Sequence, residues 1–269
     1  MTDLPRTERR NPKAAGLAAM PTLAIVGLMA DEDATLPDAI RLALPDIARA
    51  ADAIAAAFAS GGRLRYVGAG TSGRLGVLDA SEAPPTFGVE LDLVHGVIAG
   101  GDGALRRSIE GAEDDPAAGE RDIAQVARTG DVVVGLSASG SARYVVAAVT
   151  AARAFGARTA CVTCVSGSAL ALSVDIPIVV DVGPEILAGS SRLKAGTATK
   201  LVLNMLSTAA MIRSGRTKGD LMIDLRPTNA KLRARAIRMV SDELGIGEDA
   251  ARARLEATDW SVRRAIDAR

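Results

Sequence analysis

The chain has 269 residues, of which 48% are hydrophobic, with 27 glycines and 11 prolines. That is enough apolar material for one large globular domain or a domain with an appendage, and too much for a disordered tail or fibrous repeat. Its 32 basic and 32 acidic residues cancel and no Lys/Arg run forms a stripe, which excludes a typical binder of nucleic-acid backbones; three Phe, two Tyr and one Trp leave almost nothing for stacking platforms.

Residues 14–30 are mostly apolar and follow Arg6, Arg9, Arg10 and Lys13, as in a signal peptide. Asp3 and Glu8 dilute the basic region, Pro21 and Thr22 interrupt the apolar run, and the stretch is short for a membrane span. It is read as mature protein with no membrane partner. Over 36–59 the apolar residues Ile40, Leu44, Ile47, Ala51, Ile54 and Phe58 recur at helical spacing, and Gly61-Gly62 ends the pattern. Residues 1–60 are therefore a helical N-terminal segment. A short strand over 63–67 runs into Gly68-Ala-Gly70-Thr71-Ser72-Gly73-Arg74, with an Ala/Leu-rich helix beyond.

Further strands are predicted at 89–98, 131–136, 158–165 and 175–182, each Val/Ile/Leu-rich rather than alternating, which suits burial on both faces. Helical patterns at 115–128, 142–155 and 191–213 alternate with them. The fold class is α/β, with a doubly wound parallel five-stranded sheet over 61–220. After Gly219 the texture turns to Arg-rich amphipathic pieces at 228–244, 248–257 and 261–268, which predict a small C-terminal helical subdomain over 221–269. Interleaved acids make its arginine faces solvated surface rather than a nucleic-acid patch.

One His and two Cys do not make a zinc site of the usual kind, and they exclude a disulfide scaffold. Neither a metal nor a cofactor is expected, and a reduced, cytoplasmic setting fits. Cys161 and Cys164 share a buried strand, three residues apart and hence on opposite faces, which argues against a redox pair. His95 sits in mid-strand and reads as a packed core residue.

Gly68-x-Gly70-x-x-Gly73 formally satisfies a dinucleotide fingerprint, with Glu90 or Asp92 downstream for a ribose hydroxyl. Thr71, Ser72 and Arg74, however, add hydroxyls and a guanidinium that suit a phosphate monoester. A second hydroxyl-rich loop, Ser137-Ala-Ser139-Gly140-Ser141, ends the 131–136 strand. In a parallel sheet both loops lie at one edge, the usual ligand edge. Serines also cap helices, and for either loop alone that bland reading has equal weight; together the two loops favour an anion site. A third polar stretch carries Glu185, Ser190, Ser191, Arg192 and Lys194, and could close over the same ligand or merely cap and pair on the surface.

These loops resemble the sugar isomerase (SIS) domain, a phosphosugar-binding α/β sandwich. Tyr66-Val-Gly-Ala-Gly-Thr-Ser-Gly-Arg-Leu-Gly-Val-Leu-Asp-Ala-Ser-Glu82-Ala-Pro-Pro-Thr-Phe-Gly88, the run from Ala99 through Glu110 and Glu113 to Asp115, and the run from Glu185 to Lys200 resemble N-acetylmuramic acid 6-phosphate etherases. Thr7-Glu-Arg-Arg-Asn-Pro12 and Asn204-Met-Leu-Ser-Thr208 match them too, so the likeness spans nearly the whole chain. Ala83 and Ser141-Ala-Arg143 depart from the family's usual residues. The resemblance implies a metal-free cytoplasmic homodimer that cleaves the D-lactyl ether at C3 of a phosphorylated amino sugar in cell-wall recycling.

Ring opening exposes a C1 aldehyde that acidifies the C2 proton, so elimination across C2 and C3 needs a base near C2 and an acid near the ether oxygen. Two carboxyls suit that task. Glu82 and Glu113 each match a family catalytic carboxylate, and the resemblance suggests Glu82 as acid and Glu113 as base. Glu110 is a rival for the second role, and a solvated surface charge is the ordinary fate of any glutamate. Glu82 is expected in a loop, its direction fixed by a Pro84-Pro85 turn. A phosphosugar isomerase would need only the C2 base. A non-catalytic phosphosugar sensor, like regulatory SIS modules or the regulator of glucokinase, would keep the Ser/Thr loops without needing the glutamates.

Overall fold

The computed structural model describes residues 5–225 and 227–268. Three single helical turns within 6–19 lead to α1 (Thr22–Asp33) and α2 (Leu36–Ala59). Then follow β1 (Leu64–Gly68), α3 (Gly70–Phe87), β2 (Val94–Ile98), the short α4 (Gly103–Arg106), α5 (Pro116–Val126), β3 (Val132–Leu136), α6 (Arg143–Ala154), β4 (Arg158–Thr163), the short α7 (Ala169–Leu172), β5 (Ile176–Val179) and α8 (Lys194–Arg213). The chain ends in α9 (Ala230–Leu244), α10 (Glu248–Ala257) and α11 (Val262–Asp267).

The five strands form one parallel sheet in the order β2-β1-β3-β4-β5. Alternate residues of each strand feed two cores, as continuous apolar runs require. Leu64, Tyr66, Val132 and Val134 pack toward α2, α3 and α8, while Val67 and Val133 pack toward α5 and α6. A third apolar cluster, built from Ile223, Ile237, Val240, Leu255 and Val262 among others, joins the segment before α9 to the last three helices.

Strand limits contract from the sequence pattern where side chains take over backbone partners. β2 begins at Val94 rather than 89, because residues 91–93 turn and the buried Arg65 donates to the Asp92 carbonyl and carboxylate and to the Val126 carbonyl. Burial lowers the Arg65 pKa to about 10. Arg63 also pairs with Asp92, so that carboxylate is not free for a ribose. β5 begins after Asp175, whose carboxylate accepts the Thr159 N–H at 2.9 Å.

One other expectation needs correction. His95 lies on the edge strand with its side chain 43% exposed, because β2 has a neighbour on one side only. The apolar stretch at 14–30 forms a single helical turn at Leu17–Ala19 and most of α1, where Leu23 is 82% exposed and Glu32, just beyond the stretch, is the buried residue. Cys161 and Cys164 do fall in the two opposite cores, and burial pushes both thiols up to about 12.

Candidate active site

β1 and β3 are neighbours at the point where the chain order reverses, the place where open parallel sheets bind ligands. The loop after β1 enters α3 at once, with Ala69 as N-cap and no side chain capping that end. Gly68 and Gly73 are dictated by close approach: a Cβ on Gly73 would sit 2.8 Å from the Gly68 carbonyl oxygen and 2.7 Å from Ile98. Gly70 has φ 52, a left-handed conformation that glycine adopts without strain. The first turn of α3 therefore presents Thr71, Ser72 and its backbone N–H groups at the sheet edge, a suitable anion cradle.

The second loop is bent back on itself. Ser137 Oγ accepts the Gly140 N–H at 3.1 Å, Ser139 Oγ accepts the Ser141 N–H at 3.3 Å, and the Ser139 and Ser141 hydroxyls lie 2.8 Å apart. Gly140, at φ 66, lies so close to Ser168 that a Cβ would come within 2.2 Å of its hydroxyl. Ser137 thus shapes the loop from within, whereas Ser139 and Ser141 are partly or fully exposed beside the α3 cradle.

A cavity of about 150 Å³ joins the first loop to the turn after α4, with Gly70, Arg74, Ser108, Glu110 and Glu113 among its lining. Arg74 Nε donates to the Leu105 carbonyl at 3.2 Å, which ties this guanidinium to α4. Glu113 lies on a single helical turn, Ala112–Asp114, and is exposed. Both Glu110 and Glu113 face this cavity.

Glu82 is not in a loop. It belongs to α3, which continues through Pro84 and Pro85 to Phe87 and ends at Gly88 in a left-handed cap. Pro84 and Pro85 withhold the N–H groups that would pair with the Ala80 and Ser81 carbonyls, yet α3 carries on past them to Phe87. Twelve residues after Gly70, at about 1.5 Å each, Glu82 lies about 18 Å along the helix from the cradle. It lines a separate cavity of about 330 Å³ between α3 and α8, together with Asp79, Lys200, Asn204 and Ser207. Within one chain, then, Glu113 shares a cavity with the first loop and Glu82 does not.

Asp79 is the titratable group of that second cavity with a clear shift. Burial raises it to about 6, against the pull of the Tyr66 hydroxyl donating at 3.0 Å, the Ser207 hydroxyl at 3.2 Å and the charge of Lys200. Tyr66 itself is driven up, chiefly by burial and then by Asp79. Local sequence assigns no role to Asp79, Lys200 or Asn204; their spacing on α3 and α8 is the available signal, since Asp79 and Glu82 are three apart and Lys200, Asn204 and Ser207 follow at four and three.

The third loop divides. Glu185 is fully buried and its carboxylate accepts the Lys194 and Ala195 N–H groups at 3.0 and 2.9 Å, capping α8. Lys194 is also buried, its ammonium 2.6 Å from Glu32. Burial alone would raise Glu32, yet hydrogen bonds from Lys13, Lys194 and Asn11 bring it to about 2. Ser190 and Ser191 stay half-buried and Arg192 exposed. Gly196 lies 3.6 Å from Thr71 when a Cβ is placed on it, so the start of α8 is close to the first loop. The N-terminal motif packs here too, through Arg6 on Asp181 and Asn11 on the Pro184 carbonyl.

An α/β sandwich with two hydroxyl-rich loops at its switch point defines the class of SIS-type phosphosugar proteins. Two family descriptions match, the glucokinase regulatory protein N-terminal SIS domain over residues 46–153 and the SIS domain over 114–209. Among solved structures, a phosphoheptose isomerase from Francisella tularensis superposes with TM-score 0.54 at 20% identity, covering 71% of this chain and 98% of that one. The Vibrio vulnificus NanR protein complexed with ManNAc-6P gives TM-score 0.50 at 16% identity, covering 74% and 66%.

Curated relatives carry the comparison further. The N-acetylmuramic acid 6-phosphate etherase of Salmonella typhimurium is 51% identical over 97% of this chain and 88% of its own length, and that of Salmonella enteritidis is 50% identical over the same shares. The chain belongs to the N-acetylmuramic acid 6-phosphate etherase family.

Proposed function

We propose that this protein cleaves the D-lactyl ether of N-acetylmuramic acid 6-phosphate to D-lactate and N-acetylglucosamine 6-phosphate, in the cytoplasm, in recycling of cell-wall amino sugars. The cradle at α3 and the Ser139–Ser141 loop hold the 6-phosphate, as the two converging donor sets suggest. Thr71, Ser72, Gly73, Arg74, Ser137, Ser190 and Ser191 surround it, whereas Glu185 and Lys194 shape the site by fixing α8.

In the opened sugar the C1 aldehyde makes the C2 proton removable. Glu113 takes that proton, the C2–C3 double bond forms as the C3–O bond breaks, and Glu82 protonates the departing lactyl oxygen. Water then gives a proton to the Glu82 carboxylate as its oxygen adds at C3, and the proton held by Glu113 returns to C2, which restores the saturated sugar and both carboxyl states. No metal or cofactor enters these steps.

The two carboxyls must meet at adjacent carbons, yet they line different cavities of one chain. That separation is the observation favouring a homodimer in which Glu82 of one copy completes the Glu113 site of the other. The apolar content of residues 191–213 does not argue for it, because Ala195, Ala198, Val202, Leu203 and Leu206 are buried in the chain's own core.

The reaction in ¹⁸O-water tests the chemistry. Label at C3 of the amino sugar, with none in lactate, is expected; label in lactate would mean attack on the lactyl side and would overturn the elimination.

A further inference from the structure

The cavity between α3 and α8 holds more chemistry than an acid requires. Opposite Glu82 stands Lys200, whose ammonium donates to Asn204 Oδ1 at 2.8 Å when that amide is oriented to satisfy its neighbours, its nitrogen then donating to the Lys200 carbonyl at 3.3 Å. Among the described residues Lys200 has no carboxylate at ion-pair distance; Asp79, which feels its charge, is bound by the Tyr66 and Ser207 hydroxyls. A cation is thus held in a fixed direction, exposed to whatever enters. Leu75, Ala83, Phe87 and Leu203 supply an apolar wall beside it.

We propose that Lys200, steered by Asn204, receives the carboxylate of the departing lactyl group, so that the α3–α8 cavity is the lactyl subsite and Lys200 its specificity residue. The inference rests on the etherase reading above and adds the recognition of the leaving group. In the substrate one carbon separates the ether oxygen from the carboxylate, so the acid that protonates the first and the cation that binds the second must share a cavity. Glu82 and Lys200 do share one, and the same carbon carries a methyl that the apolar wall accommodates. About 330 Å³ accepts this three-carbon unit with room for the C3 side of the sugar. Lysine suits a carboxylate as a compact point charge with three donors, one of which Asn204 takes up.

The test compares N-acetylmuramic acid 6-phosphate with its lactamide analogue, in which the carboxylate is a neutral carboxamide, on wild type, Lys200→Met and Lys200→Arg. Wild type should prefer the carboxylate in kcat/KM by about tenfold to a hundredfold, the range of one charged hydrogen bond. Lys200→Met should lose that preference and Lys200→Arg regain much of it. Inhibition by N-acetylglucosamine 6-phosphate, which has no lactyl group, should be the same in all three. Undiminished preference in Lys200→Met would overturn the proposal, as would weakened inhibition by the product, which would mark a structural role. A wild type that releases neither lactate from the natural compound nor lactamide from the analogue sinks the etherase reading and this inference with it; an active wild type indifferent to the amide sinks this inference alone.

Discussion

Replacing Glu32 with glutamine tests whether the N-terminal segment is fastened to the ligand edge by charge. The carboxylate is buried and accepts from Asn11 at 2.8 Å, Lys13 at 2.8 Å and Lys194 at 2.6 Å. Folding takes it from an ordinary 4.5 to about 2, and at 1.36 kcal/mol per pKa unit that difference is about 3 kcal/mol of stability. Because the folded value is the lower one, the contribution is complete above pH 4.5 and drains away as pH falls from 4.5 toward 2. Urea unfolding of wild type and Glu32→Gln should differ by about 3 kcal/mol at pH 7, since the variant leaves the buried Lys194 charge without its partner. The gap should narrow steadily below pH 4.5. Equal stabilities at pH 7, or a gap indifferent to acid, would refute the reasoning.

Ser139→Ala, which removes an accessible hydroxyl from the second loop, should weaken N-acetylglucosamine 6-phosphate binding by about tenfold in calorimetry while leaving the melting temperature within a degree or two. Asp79 is raised by burial from an ordinary 3.8 to about 6, so ionising it opposes folding: stability from this group is full below pH 3.8 and lost as pH climbs through 6. Asp79→Asn should remove about 2 to 3 kcal/mol of that pH dependence, read from urea midpoints at pH 4 and pH 8.

The fold was legible because five apolar runs bounded by turns and helical periods leave few topologies for a parallel sheet. The loops carrying Ser72 and Ser139 were legible for the same reason, since strand ends locate them. Glu82 was misplaced because Pro84-Pro85 signals a break to any local reading, yet α3 forgoes those two N–H donors and continues to Phe87 before Gly88 ends it. Lys194 and Glu185 looked like ligand groups because sequence cannot reveal that Glu32, 162 positions away from Lys194, is its partner. Lys200 and Asn204 were hidden by the opposite effect: on a helix that reads as apolar, polar residues at spacings of three and four become a site only once α3 is packed against them.

Mixing Glu82→Gln and Glu113→Gln subunits tests the central claim most directly. Each variant alone should release D-lactate at least about a hundredfold more slowly than wild type. After unfolding and refolding together in equal amounts, half the dimers carry one of each, and in these one of the two sites joins an intact Glu113 to an intact Glu82 of the other copy. Activity should return to about a quarter of wild type. A mixture no more active than its components, with exchange of subunits verified by mass, would contradict a site shared between two copies.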